Sequence, residues 1–92
     1  MKVVINTSWG GFKLPEEVAK KAGCDCWGWF GNGEVISRSD EGLVKALSNY
    51  PSIKETTLDI VEIPDNATDW RIEEYDGMEN VIAVIDGKIV DL

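Results

Sequence analysis

The chain contains no histidine, so the side chain that most often acts as a general base near neutral pH, and most often ligates metal, is absent. Nucleophilic catalysis of the Ser–His or Cys–His kind is thereby excluded. Cysteine is scarce too. Cys24 and Cys26, the only two, lie one residue apart, and a bridge across so short a ring is strained and adds little stability. Two thiolates, even with an oxygen from Asp25, fall short of the four ligands of a closed zinc site. No metal and no cofactor is expected, and both thiols are read as free. No apolar run approaches the ~18 residues of a membrane span. Met1–Asn6 also lacks the apolar core and small-residue cleavage site of a signal peptide. A cytoplasmic protein without membrane contact is expected, in which the sequons at Asn6 and Asn66 carry no meaning.

Cations are the third shortage, and it is a local one. Residues 1–54 hold six acidic and seven basic residues, whereas residues 55–92 hold eleven acids against Arg71 and Lys88 alone, a local net charge of −9 in a chain of net −8. A field of that sign repels phosphate backbones and favours a cationic partner. Direct binding to nucleic acid is therefore not expected. Ninety-two residues, 43% hydrophobic and 28% charged, make one small globular domain.

What is present falls into two patterns. Lys2–Asn6 reads as a strand, and its uninterrupted Val3-Val4-Ile5 run predicts a central position. Leu14–Ala22 reads as a helix opened by Pro15, with Glu16 and Glu17 at its positive end, Lys20 and Lys21 at its negative end, and Gly23 as the stop. Cys24–Ile36 suggests a hairpin around Gly31-Asn32-Gly33. Ser39 is placed to cap a second helix over Asp40–Asn49, with Leu43, Val44 and Leu47 inward and Pro51 ending it. From residue 57 the pattern turns to strands: Leu58–Ile63, Trp70–Tyr75, Met78–Ile85 and Lys88–Val90. Asp76-Gly77 and Asp86-Gly87 separate the last three, and Asp-Gly between β-prone runs predicts type I′ hairpins. The sum is an α+β domain: an antiparallel-dominated sheet of four to six strands with two short helices on one face, and Glu62, Glu73 and Glu79 turned to water on the other.

No reaction can be assembled from these residues. The Trp9-Gly10-Gly11-Phe12 loop between a strand and a helix lacks both phosphate-binding glycine patterns. Glu16 and Glu17 also sit where a phosphate's charge would have to go. Asp69, Glu73, Glu74, Asp76 and Glu79 crowd one hairpin without the spacing of a calcium loop. Arg38, two residues before Asp40, is placed for a local salt bridge or for a ligand's carboxylate. Trp9, Phe12, Trp27, Trp29 and Phe30 are five of the eight aromatic residues and fall within 22 positions; such rings serve as core, as interface anchors or as stacking surfaces.

Several of these stretches together resemble a family of small bacteriophage and prophage proteins. The stretches are Lys2-Val3-Val4-Ile5-Asn6, the aromatic-Gly-Gly-Phe loop Trp9–Phe12, the Arg-x-Asp-x-x-Leu-Val of Arg38–Val44, Val61-Glu62-Ile63-Pro64, and Ile-x-Glu-Tyr-Asp-Gly-x-Glu at Ile72–Glu79. Two positions depart from that pattern: Pro15 stands where a capping Ser is common, and Glu41 where Pro is usual. The resemblance implies a phage-encoded accessory protein and supplies no catalytic residues.

The resulting expectation is a non-enzymatic protein that binds and inhibits a host nucleic-acid-binding defence factor, such as a CRISPR effector. Its acidic surface would stand in for phosphates on the factor's basic face. Glu62, Asp69, Glu73, Glu74, Asp76 and Glu79 would carry the charge, and Trp27, Trp29 and Phe30 the apolar anchor. The alternative is a protein that binds or sequesters a small ligand, a nucleotide signal, using Trp9, Gly10, Gly11, Phe12 and Arg38.

Overall fold

A computed structural model describes all 92 residues. Strand β1 (Lys2–Asn6) leads to helices α1 (Glu16–Ala22) and α2 (Glu41–Ser48) and a 3₁₀ turn over Ile53–Glu55. Strands β2 (Leu58–Glu62), β3 (Ala67–Tyr75), β4 (Met78–Ile85) and β5 (Lys88–Asp91) follow. This is a small α+β domain with five strands, all paired antiparallel. The strands divide between two sheets, β1–β2 and β3–β4–β5, where the sequence suggested one.

The β1–β2 ribbon is the middle of three layers. Val4, Leu58 and Ile60 face the helices, meeting Val18, Leu43 and Leu47. Val3, Ile5, Val61 and Ile63 face the larger sheet, meeting Val81, Trp70 and Ile72. A strand buried on both faces needs an unbroken apolar run, which is what Val3-Val4-Ile5 provides. The second edge of β1 is closed without another strand. Val4 N–H donates to the Arg38 carbonyl at 2.8 Å, and Asn6 N–H donates to Glu79 Oε1 at 2.7 Å. Because those amides are already paired, β1 has no edge left to join β3–β5, and the sheet splits.

Both Asp-Gly turns form as expected. Asp76 and Gly77 have φ of 50° and 88°, Asp86 and Gly87 of 53° and 75°, the positive pairs that a two-residue type I′ hairpin requires. Helix α1 begins one residue after Pro15 and ends on Gly23 at φ 81°. The cap of α2 is Asp40 rather than Ser39: Asp40 Oδ1 accepts from Leu43 N–H at 2.9 Å, while the Ser39 hydroxyl faces that of Ser37. Segment 24–36 reverses around Gly31-Asn32-Gly33 as expected, with Phe30 N–H donating to the Glu34 carbonyl and Ile36 N–H to that of Gly28, but the pairing is a single antiparallel bridge between Trp29 and Val35 rather than a ladder. Asp25 Oδ1 takes the Trp27 and Trp29 amides, both at 2.9 Å, and so curls the backbone away from a ladder. No helix is long and apolar enough to cross a membrane.

Candidate functional site

The residues that looked most like a site are brought together, but they hold the fold. Glu79 lies on β4 two residues before Val81 and four before Ala83, so strand alternation turns it inward with them. Its carboxylate receives Arg38 Nη1 at 2.5 Å and Nη2 at 2.9 Å, a two-pronged pair whose side chains are only 22% and 10% exposed. The same guanidinium bonds the Val4 carbonyl at 3.2 Å and stacks on the Phe12 ring, 3.8 Å from its centroid. Asn6 is wholly buried and donates through Nδ2 to the carbonyls of Ser8 and Gly77. Gly77 in turn presses against the backbone of Gly10 and Gly11. The four stretches around Asn6, Phe12, Arg38 and Glu79 thus meet at one internal junction.

Three expectations change as a result. Glu79 does not face water, because the Arg38 guanidinium holds it inside. Arg38 pairs across 41 positions, not locally, and neither it nor Phe12 is available to a ligand. Phe30 packs against the helical core, whereas Trp27 and Trp29 remain about half exposed.

The other carboxylates lie outside. Ten of the eleven acids in 55–92 are exposed, all but Glu79. They do not form one acidic face. Asp69 and Glu73 project from the outer side of β3 with Arg71 between them, and Arg71 approaches Glu73 to 3.5 Å. Asp91 joins them from β5, held by Asn80 Nδ2 at 3.2 Å. Glu74 takes the Gly77 amide inside its own turn, Asp76 occupies that turn, and Glu62 stands on the other sheet near the N-terminal amine. Between the outer acids lies an apolar strip that the sequence reading missed: Ile82 and Val84 on β4 and Ile89 on β5, continued by Tyr75 and Met78 at the hairpin end. Ile89 and Tyr75 are each 74% exposed. Asp69, Arg71, Ile82, Val84 and Ile89 line a shallow groove there. The signal was available in the sequence, since Ile82 and Val84 alternate with the buried Val81 and Ala83, and Ile89 alternates with Lys88 and Val90 on the short strand that follows the Asp86-Gly87 turn.

A second feature is a cleft of about 380 Å³ whose lining includes Trp9, Gly10, Gly11, Lys13, Trp27 and Thr57. Trp9 is braced edge-on by Tyr75, with ring centroids 6.3 Å apart. The Lys13 ammonium lies over the Trp27 ring at 5.5 Å. Both rings are therefore positioned without being buried.

Cys24 and Cys26 are free and half-buried against the helical core. Burial raises the Cys24 thiol above its ordinary pKa, and the charges of Asp25 and Asp40 add to the effect. A raised folded-state pKa means the native thiol keeps its proton longer than the unfolded one. Its contribution to stability is present at neutral pH and is lost as pH rises through the folded value. The thiolate is also the reactive form. Iodoacetamide at pH 8 is therefore expected to alkylate Cys24 at least several-fold more slowly in the native protein than in urea, read by mass spectrometry of the Cys24 peptide. Equal rates would contradict the burial.

Comparison with protein-family models, with curated protein sequences and with solved structures finds no match to this chain.

Proposed function

We propose that this chain is a non-enzymatic binding module that docks a cationic polypeptide surface with the outer face of β3–β5. The carrying observation is the composition of that face, where exposed Ile89 and half-buried Ile82 and Val84 on paired strands are bordered by Asp69, Glu73 and Asp91. An apolar centre with charge at its margin is the usual anatomy of a recognition surface. Residues 55–92 as a whole carry ten exposed carboxylates and two bases, a net field that would steer a basic partner at low salt. The apolar anchor moves accordingly from Trp27, Trp29 and Phe30 to Ile82, Val84 and Ile89. The resemblance to small phage proteins supports the narrower reading, in which the partner is a host nucleic-acid-binding defence factor and binding occludes its basic surface.

Capture from bacterial lysate on immobilised protein tests this. An Asp69→Lys/Glu73→Lys variant is run beside a Glu16→Lys/Glu17→Lys control of equal net charge. Nucleic-acid-binding proteins should be retained by the parent and the control, released by about 0.3 M salt, and retained about tenfold less by the sheet variant. Equal retention by all three proteins rejects the docking face.

The Trp9–Trp27 cleft favours a second reading, the binding of a small planar ligand. A base stacked on either ring would quench tryptophan emission. Nucleotide titration should then show saturable quenching that is lost in Trp9→Ala and Trp27→Ala, and unchanged emission at about 1 mM ligand would remove the reading.

A further inference from the structure

Strand β5 forms one margin of the larger sheet, and its backbone shows where a further strand would join. Leu92 N–H donates to the Val81 carbonyl at 2.9 Å. In the same register, Val90 lies opposite Ala83 and Lys88 opposite Ile85. Hydrogen-bonding direction alternates along a strand, so the even-numbered residues point toward β4. The N–H and C=O groups of Ile89 and Asp91 therefore point away from it, and none of the four appears among the bonds outside the strand ladders. All four residues of β5 are exposed. Proteins commonly blunt such an edge with proline, a bulge or a covering loop. Here there is no proline, no register shift in the β4–β5 pairing, and a single lysine, Lys88, on the opposite face from Ile89 and Asp91.

We infer that the β5 edge is a strand-addition site for an extended, cation-bearing segment of the partner, an inference that rests on the cationic-partner reading above. Four backbone groups would pair, and strand addition of this kind draws affinity from the main chain and selectivity from alternate side chains. The alternate positions here are Ile89, beside Val84, and Asp91, beside Ile82. An incoming strand would set an apolar side chain against Ile89 and, two residues on, a lysine or arginine against Asp91. The same edge could in geometry accept a second copy of the chain. Charge argues otherwise, because each copy carries net −8 and the pairing would bring Asp86, Asp91 and the outer-face acids of both together.

The test titrates ¹⁵N-labelled protein with capped hexapeptides of the pattern Thr-Val-Thr-Lys-Thr-Val, which set valine and lysine two residues apart on one face, and with the same peptides N-methylated at alternate amides. Amide shifts should centre on Gly87–Leu92, and hydrogen exchange at Ile89 and Asp91 should slow. Affinity should fall about tenfold or more with whichever methylated peptide blocks the pairing amides. Ile89→Pro should weaken binding to a similar extent, because it removes only an outward N–H and leaves the β4 ladder intact. Should that variant unfold, the methylated peptides still decide. No binding at about 1 mM, equal affinity for the methylated peptides, or a concentration-dependent dimer through β5 overturns strand addition. If methylation has no effect while Asp69→Lys/Glu73→Lys still abolishes partner capture, the docking face survives and only the edge proposal fails.

Discussion

Arg38→Ala and Glu79→Ala are each expected to destabilise the domain by about 3–5 kcal/mol, because either change leaves a charge buried without its counter-ion. For a domain of this size that corresponds to a fall in Tm of roughly 15 °C or more. It would consume much of the ~5–14 kcal/mol that holds some ninety residues folded. The loss extends past the ion pair. Without Arg38, the Val4 carbonyl loses a donor and the Phe12 ring its cation. Without Glu79, the Asn6 amide at the closed edge of β1 loses its acceptor. Glu79→Gln keeps an acceptor for Asn6 but leaves Arg38 unneutralised, so it should fall between Glu79→Ala and the parent. An Arg38→Met/Glu79→Leu double variant should cost clearly less than the two alanine changes added together, since no lone charge remains. Denaturant unfolding of the four variants measures each term. A cost below about 1 kcal/mol for both alanine variants would show that the pair behaves like a surface salt bridge.

Gly77→Ala carries the second large effect, and the fold supplies its own control. Gly77 and Gly87 occupy the same position of the two type I′ turns, with φ of 88° and 75°. A side chain there costs about 1–2 kcal/mol for the left-handed backbone alone. Gly87 has open space around it, so Gly87→Ala should show that cost and no more. At Gly77 a methyl group would lie 2.5 Å from the Gly11 nitrogen and 2.9 Å from that of Gly10. Both neighbours are backbone, which cannot swing aside as a flexible side chain can. Either the turn lifts away, straining the Asn6 bond to the Gly77 carbonyl, or the Trp9–Phe12 loop shifts. A further ~1–3 kcal/mol is expected from the forced fit. Because Trp9 belongs to that loop and touches Tyr75, the Gly77→Ala protein should also change its tryptophan emission, whereas Gly87→Ala should not. Equal destabilisation by the two substitutions would mean that Gly10 and Gly11 do not need the close approach.

These two predictions give the glycine-rich loop a different meaning from the one its sequence suggests. A strand, a Gly-Gly loop and a helix resemble a cradle for a ligand. In the fold, Gly10 and Gly11 make room for the tip of a hairpin some 66 positions further along the chain. Much of what carried the resemblance to small phage proteins converges on the same junction, and this accounts for those residues through stability. The proposed recognition chemistry lies elsewhere, on the outer face and free edge of β3–β5.

The element types were written locally. Asp-Gly dipeptides set both hairpins because few other residues tolerate positive φ at two successive positions. Pro15, the acid-to-base order from Glu16 to Lys21 and the Gly23 stop marked α1. The Val3-Val4-Ile5 run announced a strand but not its place: β1 is covered on both faces, yet it pairs with β2 alone and is not central in a sheet. Missing histidine and the crowding of acids into residues 55–92 are properties of composition, and folding cannot alter them. In segment 24–36 the glycines marked the reversal but not its extent: side-chain capping by Asp25 competes with a ladder, and the pairing stops at one bridge.

Tertiary structure decided where each charge resides and which edges stay open. Glu79 and Glu73 are both acids on adjacent strands, yet one is enclosed by a guanidinium from another part of the chain while the other meets water. The split into two sheets has the same origin: the amides of β1 are taken by Arg38 and Glu79, partners 34 and 73 positions away. Sequence patterns report the preferences of neighbouring residues, whereas burial, pairing and exposure are settled by whatever distant segment packs alongside.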